Sequence, residues 1–245
     1  MNFINQIFQN KKSKATQGHF PSDVSDEEKE IIELVKPYTM TSTERLIALV
    51  RAIDYVEKRG IGGDIVECGV WKGGSMMAIA KRLLQLNKQD RNLYLYDTFS
   101  GMTAPGDEDK DFLGRSAEQL LAEQSKNKES HIWAFSPKEE VTKNVLSVGY
   151  NSSKIFFIEG KVEATIPNSA HHSIAILRLD TDWFSSTYHE LVHLFPLLSK
   201  GGVLIIDDYG YWKGAKEAVD RYFAENGIDS YFHRIDDTGR LLIKE

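Results

Sequence analysis

Cysteine is almost absent from this chain of 245 residues, since Cys68 is the only one. A single thiol excludes an intrachain disulfide and any zinc site built from several cysteines. The sequence also has no apolar run of 18 residues and no signal-peptide pattern. We therefore expect a cytoplasmic protein without membrane insertion.

Basic clusters are also scarce. The formal net charge is −6, and the densest group of lysines is Lys11-Lys12-Ser13-Lys14. Proteins that bind a phosphate backbone carry a basic surface, so we expect a small-molecule partner and no nucleic acid. The 41% hydrophobic content is enough for the core of one large α/β domain, which the length favours over two.

We predict a flexible arm over residues 1–24 and a single domain over residues 25–245. The arm is polar, with lysine and amide residues interspersed. Residues 25–60 form a predicted helical cap of two helices. The first stops before Pro37, because the residue before a proline disfavours the helical region. The second begins with either Thr41 or Ser42 as its N-cap.

From Asp64 onward, strand and helix patterns alternate in the way that is typical of a doubly wound sheet. Five successive strands are predicted, at 64–70, 92–97, 154–159, 173–180 and 203–207. A helix is predicted over 186–198, ended by Gly201 and Gly202. The segments 231–235 and 240–243 flank the turn Asp236-Asp-Thr-Gly, which predicts a C-terminal hairpin.

Four aspartates follow two of the apolar runs. Asp180 and Asp182 lie in Leu-Arg-Leu-Asp-Thr-Asp, and Asp207 and Asp208 end Leu-Ile-Ile-Asp-Asp. Ligands of open α/β sheets bind outside the carboxyl ends of the strands, so we expect these side chains to share one pocket. Clustered hard oxygen ligands suit Mg²⁺, Ca²⁺ or Mn²⁺. The alternative is that the aspartates are turn formers and helix caps.

A glycine-rich turn follows the first predicted strand and contains Gly69, Gly73 and Gly74. Glycine allows a tight turn and a close approach of the backbone to a ligand, although the spacing is not the dinucleotide G-x-G-x-x-G. The second strand ends at Asp97, where this topology can place an acid on a ribose. Together they favour an adenosine-type cofactor, with turn and cap roles as the alternatives.

Two groups of residues near these motifs allow more than one interpretation. An acidic loop could close over an acceptor or simply be solvated; it contains Asp107, Glu108, Asp109 and Asp111. An aromatic group could stack on a sugar or pack beneath the loops; it consists of Trp183, Tyr209, Tyr211 and Trp212.

These motifs together resemble the macrocin O-methyltransferase (TylF/MycF-type) family. The matching segments run from about Tyr38 to the C-terminus, at 38–42, 66–77, 95–102, 179–183 and 206–220. Lys72 and Ser100 are mild departures, where arginine and glutamate are more usual. The resemblance implies the class I methyltransferase fold, a mostly parallel seven-stranded sheet with helices on both faces, a C-terminal antiparallel hairpin and extra N-terminal helices.

The resemblance also implies a reaction and a set of site residues. S-adenosylmethionine would be the methyl donor, a sugar or glycosylated small molecule the acceptor, and Mg²⁺ or another divalent cation the metal. Asp180, Asp207 and Asp208 match the metal ligands, and Asp182 matches the general base. The positions that match cofactor-binding residues are Met40, Thr41, Ser42, Glu67, Gly69, Ser75 and Asp97. A homo-oligomer is also expected.

Two other functions stay open at this point. A metal-dependent phosphoesterase could use clustered aspartates on an α/β sheet, although it would not need the glycine turn with Asp97. A non-catalytic methyltransferase-like binding protein could keep the fold without the chemistry, although the presence of all four aspartates speaks against it.

Overall fold

A seven-stranded sheet runs through the part of the chain that the structure describes. In this computed structural model the described residues are 20–124, 126, 131–166 and 171–245. The strands are β1 Asp64–Cys68, β2 Leu93–Asp97, β3 Ile155–Glu159, β4 Ile174–Leu179, β5 Leu198–Ile206, β6 His233–Arg234 and β7 Arg240–Ile243. Their order in the sheet is β3-β2-β1-β4-β5-β7-β6.

The first five strands are parallel, and β7 pairs antiparallel with both β5 and β6. β1 and β4 are neighbours, so the strand order reverses between them. In open α/β sheets the ligand crevice lies at such a reversal, outside the carboxyl ends of the strands. The expected fold class, including the antiparallel C-terminal hairpin, is confirmed.

Helices cover both faces of the sheet. They are α1 Asp26–Val35, α2 Thr43–Arg59, α3 Gly74–Gln85, α4 Ala117–Ala122, α5 Lys138–Leu146, α6 Val162–Thr165, α7 Phe184–Leu194 and α8 Lys213–Glu225. Residues of α1, α2, α3 and α5 pack on one face, and residues of α6, α7 and α8 pack on the other. Successive strand residues therefore enter opposite cores, as Ile65 and Val66 do.

Burial on both faces explains why the central strands read as nearly continuous apolar runs. All six residues of β4 are buried, including the one charged residue among them, Arg178. Within the described ranges, no helix has the length and apolar character that crossing a membrane requires.

The predicted N-terminal helices are α1 and α2. Ser25 and Glu28 form a capping box at the start of α1. Of the two possible caps for α2, the structure uses Ser42, whose Oγ accepts a hydrogen bond from the Arg45 backbone N–H at 3.1 Å. Residues 1–19 of the predicted arm lie outside the described residues, and Val24 at its end is buried.

The predicted helix over residues 186–198 was wrong at both ends. It runs from Phe184 to Leu194, and a 3₁₀ turn containing Pro196 follows it, because proline cannot continue the hydrogen-bonding pattern. Gly201 and Gly202 lie inside β5, beside a shift in its register with β4. A bulge of this kind is a common position for glycine within a strand.

Candidate active site

A cavity of about 350 Å³ opens at the carboxyl ends of the parallel strands. Most of the residues singled out from the sequence line it: Met40, Thr41, Gly69, Ser75, Asp97, Asp180, Asp182, Asp207 and Asp208. Two others, Ser42 and Glu67, are not among the lining residues. The structure therefore brings the glycine turn and the aspartates of both clusters to one cavity.

The turn between β1 and α3 needs glycine for two reasons. Gly69 has a φ of 82°, in the left-handed region, and a Cβ there would overlap the backbone carbonyl of Asp180. Gly74, the first residue of α3, lies against the backbone of Tyr38, with no room for a Cβ. The glycines thus let the turn pass close to β4 and to the segment before α2.

Asp97 organises the same turn from the end of β2. Its Oδ2 accepts hydrogen bonds from the backbone N–H groups of Val70 and Trp71 at 2.7 and 3.2 Å, and its Oδ1 accepts one from Phe99 at 2.7 Å. Burial raises the pKa of Asp97, and these backbone hydrogen bonds oppose the rise. Because a carboxylate offers about four acceptor positions, capacity remains for a ligand hydroxyl.

The acidic cluster lies at the ends of β4 and β5. One carboxylate oxygen from each of Asp180, Asp207 and Asp208 falls within 4.8 Å of the others. Burial is the main cause that raises the pKa of Asp180 well above its usual range, and repulsion from the neighbouring carboxylates adds to the rise. Oδ2 of Asp208 is buried and has no hydrogen-bond partner among the described residues. The donor set is all oxygen, which fits a hard divalent cation.

Two arginines that we did not single out from the sequence hold this cluster together. Arg178 is 2% exposed and donates hydrogen bonds to Glu67, Asp180 and Asp207 at 2.6–2.8 Å. It also donates to Oγ1 of Thr41 at 2.9 Å. The signal in the sequence was an arginine between two leucines of an otherwise apolar strand, since a buried charge needs partners.

Arg45 is the second of these arginines. It pairs with the other oxygen of Asp207 and, through Nε, with Asp236 at 2.9 Å. Ser42 donates to the same carboxylate oxygen of Asp236 at 2.6 Å. Ser42 therefore contributes by fixing the start of α2 next to the hairpin, at one remove from the cavity.

Glu67 also lies behind the cavity wall. It is 1% exposed, and its Oε1 accepts the hydrogen bond from Arg178 at 2.8 Å. Burial raises its pKa to about 7, and Arg178 opposes the rise. Glu67 therefore binds Arg178, the same arginine that binds Asp180 and Asp207.

Asp182 follows β4 in a tight turn and lines the cavity. Its φ of 69° is unusual for a residue other than glycine and marks local strain. Burial raises the pKa of Asp182 to about 7; the neighbouring Asp208 carboxyl opposes the rise, and repulsion from Asp180 adds to it. A carboxyl group with this pKa can accept a proton near neutral pH.

The acidic loop is part structural and part solvated. Asp109 and Asp111 are buried, while Asp107 and Glu108 are exposed. Asp109 accepts a hydrogen bond from the Phe184 backbone N–H at 2.8 Å, at the first residue of α7. The interpretation of a merely solvated loop is therefore wrong for Asp109 and Asp111: Asp109 fastens the loop to α7, and Asp111 accepts hydrogen bonds from the backbone of Leu113 and Arg115 within the loop.

The aromatic group also divides. Trp183 and Trp212 are buried and meet edge to face, with ring centroids 4.9 Å apart. Tyr211 and Trp212 line the cavity, and their rings meet edge to face with centroids 5.0 Å apart. Tyr209 lies outside the lining and donates to Asp220 at 2.7 Å.

Comparison with known proteins identifies the class. Demethyldecarbamoylnovobiocin O-methyltransferase of Streptomyces niveus is 30% identical over 82% of this chain and 74% of that protein. Mycinamicin III 3''-O-methyltransferase of Micromonospora griseorubida is 29% identical over 82% and 76%. The solved structure of the O-methyltransferase NovP has a TM-score of 0.73 and 29% identity, covering 84% of this chain and 82% of NovP. Fold, cavity and relatives together define an O-methyltransferase of class I.

The family model of macrocin-O-methyltransferase (TylF) matches residues 2–244. The chain belongs to the macrocin O-methyltransferase family, and the resemblance drawn from the sequence is confirmed. The match begins further upstream than Tyr38, where the recognisable motifs start.

Proposed function

We propose that this enzyme transfers the methyl group of S-adenosylmethionine to a sugar hydroxyl of a glycosylated small molecule, with Mg²⁺ or a similar cation bound by Asp180, Asp207 and Asp208. The observation that carries the proposal is that the glycine turn with Asp97 and the acidic cluster line the same cavity. The acceptor class is inferred from the relatives, whose names describe O-methylation of demethyldecarbamoylnovobiocin, of a rhamnosyl-tetracenomycin C and of mycinamicin III.

The cofactor would lie along the glycine turn. S-adenosylmethionine would supply an electrophilic methyl group on a sulfonium. Asp97 would accept hydrogen bonds from the ribose hydroxyls through its remaining acceptor capacity, and the absence of a side chain at Gly69 keeps the backbone approachable. Met40 and Thr41, which line the cavity beside this turn, would cover the cofactor.

The acidic cluster fits a divalent cation because it brings three carboxylates together, and because one buried oxygen of the cluster, Oδ2 of Asp208, has no hydrogen-bond partner among the described residues. The cation would supply positive charge that favours ionisation of an acceptor hydroxyl. Arg178 keeps Asp180 and Asp207 at a fixed separation, because one guanidinium binds both.

Asp182 would act as the general base. A sugar hydroxyl is a weak nucleophile near neutral pH and must lose its proton as it attacks the methyl carbon. The raised pKa of Asp182, about 7, is suited to accepting that proton at the carboxylate. Tyr211, Trp212 and the fastened acidic loop would orient the sugar, and fixing both reactants lowers the entropic part of the barrier.

The two alternatives receive less support. A phosphoesterase would have no use for the turn that Asp97 organises through three backbone hydrogen bonds. A non-catalytic binding protein would have no need of Asp182 in a strained turn facing the cavity.

The test is calorimetric titration of the metal-stripped protein with S-adenosylhomocysteine, with and without Mg²⁺. We expect binding by the unsubstituted protein, loss of binding in Asp97→Ala, and unchanged binding in the control Asp229→Ala, which alters an exposed aspartate. Thermal unfolding of each variant verifies its fold. Absence of binding in the folded, unsubstituted protein would overturn the proposal, and binding would justify a screen of glycosides as acceptors.

A further inference from the structure

We propose that Glu190 is a positioning residue, which holds the segment 180–182 through Thr181 so that Asp180 and Asp182 face the cavity. The proposal rests on the proposed function, since it assumes that Asp180 binds a cation and that Asp182 faces the acceptor. Glu190 lies on α7, belongs to no motif recognised in the sequence and does not line the cavity.

The contact between Glu190 and Thr181 is direct. The Thr181 hydroxyl donates a hydrogen bond to Oε1 of Glu190 at 2.9 Å, and Glu190 has no exposed surface. A buried carboxyl is costly unless it is hydrogen-bonded, so an apolar residue would serve better if this position only filled space. The one hydrogen bond that the Glu190 carboxyl accepts among the described residues comes from Thr181, which lies between two site aspartates.

The segment 180–182 needs such support because its hydrogen bonding to the sheet ends at Asp180. The Asp180 backbone N–H donates to the carbonyl of Cys68 at 2.8 Å, as a continuation of the strand pairing. Beyond it the chain turns sharply, with Asp182 at a φ of 69° and the Trp183 N–H donating to the Thr181 carbonyl at 2.8 Å. Strained conformations of this kind persist when their surroundings over-determine them.

Thr181 is the anchored residue of the turn. Its carbonyl accepts hydrogen bonds from the Trp183 N–H and, at 3.3 Å, from the Ser186 hydroxyl, while its own hydroxyl is held by Glu190. Both Ser186 and Glu190 belong to α7, whose first residue is bound in turn by Asp109. Helix α7 therefore binds both the carbonyl and the hydroxyl of Thr181, and this fixes the orientations of Asp180 and Asp182.

Burial is also expected to keep Glu190 uncharged, since it raises the pKa of the carboxyl well above the usual range; the Thr181 hydrogen bond opposes the rise. A neutral carboxylic acid and a glutamine have similar shapes and both offer a carbonyl oxygen. We therefore expect Glu190→Gln to keep the positioning role and Glu190→Leu, whose side chain has no hydrogen-bond acceptor, to lose it.

The experiment measures Mn²⁺ binding to the metal-stripped full chain by electron paramagnetic resonance and S-adenosylhomocysteine binding by calorimetry. The variants are Glu190→Gln, Glu190→Leu, Thr181→Val and the double variant with Leu and Val, with Thr142→Val in α5 as the matched control. Residues that orient metal ligands affect metal affinity by 10–100-fold, so we expect about a tenfold loss of Mn²⁺ affinity for Glu190→Leu and for Thr181→Val. The double variant should be no weaker than the weaker single one. Glu190→Gln and Thr142→Val should bind Mn²⁺ normally, and every variant should bind S-adenosylhomocysteine normally.

Several results would overturn the inference. One is an unchanged Mn²⁺ affinity in Thr181→Val, which preserves the side-chain shape and remains a test if Glu190→Leu does not fold. Another is a parallel loss of Mn²⁺ binding, S-adenosylhomocysteine binding and thermal stability, which would indicate a general structural role. A further one is additive losses in the double variant, because residues acting through one hydrogen bond do not add. Absence of Mn²⁺ binding in the unsubstituted protein would instead reject the proposed metal site, and the inference with it.

Discussion

Arg178 governs the electrostatics of the acidic cavity at the scale of single residues. Its guanidinium donates to Glu67, Asp180 and Asp207 while its side chain is 2% exposed. Burying these charges is expensive in isolation, and it is tolerated because each finds an opposite charge at hydrogen-bond distance. Loss of the arginine would leave the carboxylates facing one another in a medium of low dielectric constant.

We therefore expect Arg178→Met to lower the free energy of unfolding by about 3–5 kcal/mol, the typical cost of removing one partner of a buried ion pair. Urea denaturation at pH 7 measures the change. Arg221→Met is the matched control, because Arg221 pairs with Glu225 on the exposed surface of α8 and should leave the midpoint unchanged. Equal midpoints for Arg178→Met and the unsubstituted protein would mean that protonation, and not the arginine, neutralises the cluster.

A second prediction at this scale concerns Asp182. Asparagine keeps the size of the side chain but cannot accept the acceptor's proton, so we expect Asp182→Asn to bind S-adenosylhomocysteine normally and to lose about 100-fold or more in kcat. Steady-state kinetics with the glycoside found in the acceptor screen provides the measurement. Undiminished turnover would remove Asp182 from the role of base.

At the scale of secondary-structure elements, Glu28 joins the first two helices. Its carboxylate accepts a hydrogen bond from the Ser25 backbone N–H at 2.7 Å and another from Nε of Arg51, on α2, at 2.7 Å. Burial opposes ionisation of Glu28, but the hydrogen bonds from Arg51 and Ser25 outweigh it and lower its pKa below the ordinary 4.5. The same group thus caps α1 and fixes it to α2.

This lowered pKa predicts a pH dependence of stability. A carboxyl whose pKa is lowered by folding contributes stability above its unfolded pKa and loses it as the pH falls through the folded value. Glu28→Gln should therefore be less stable than the unsubstituted protein by about 1 kcal/mol at pH 7, and the difference should shrink below about pH 4.5. Urea denaturation across this range tests it, with the exposed Glu33→Gln as control. A difference that grows on acidification would contradict the sign of the pKa shift.

At the scale of the whole molecule, the sheet was predictable because its strands carry a strong local signal. β4 is buried on both faces, so its sequence is, apart from Arg178, an apolar run of a kind that sequence patterns detect well. The end of α7 could not be predicted, because a pair of glycines such as Gly201 and Gly202 can interrupt a strand as well as end a helix. Their position in β5 depends on pairing with β4, which local sequence does not encode.

The residues of the candidate site were likewise only partly predictable from the sequence. Asp97 and the four aspartates could be located because they follow strands, and the topology brings the strand ends together. Arg45, Arg178 and Glu190 were missed because their importance lies in contacts with distant segments, such as that between Arg178 and Thr41. The one local indication was the charge of Arg178 in an otherwise apolar strand, and it did not show which residues Arg178 contacts.

Ligand binding should stabilise the molecule as a whole. S-adenosylhomocysteine at about 100 times its Kd is expected to raise the free energy of unfolding by about 2.7 kcal/mol, because it binds the folded state alone. Thermal unfolding with and without the ligand measures this as an increase in Tm. Asp97→Ala should show no increase, while Asp182→Asn should show the full one. An increase of equal size in Asp97→Ala would indicate that the ligand binds elsewhere.

The ion pair between Arg45 and Asp236 has a consequence for biosynthesis. It joins residues 191 positions apart, one in the second helix and one in the final hairpin, and Arg45 also binds Asp207. During translation the hairpin leaves the ribosome after Asp180, Asp207 and Asp208, so a nascent chain contains these acidic residues before it contains Asp236, the partner of Arg45. The cavity can reach its final electrostatic balance only after the hairpin has been synthesised, so the site is assembled later than the strands that carry its aspartates.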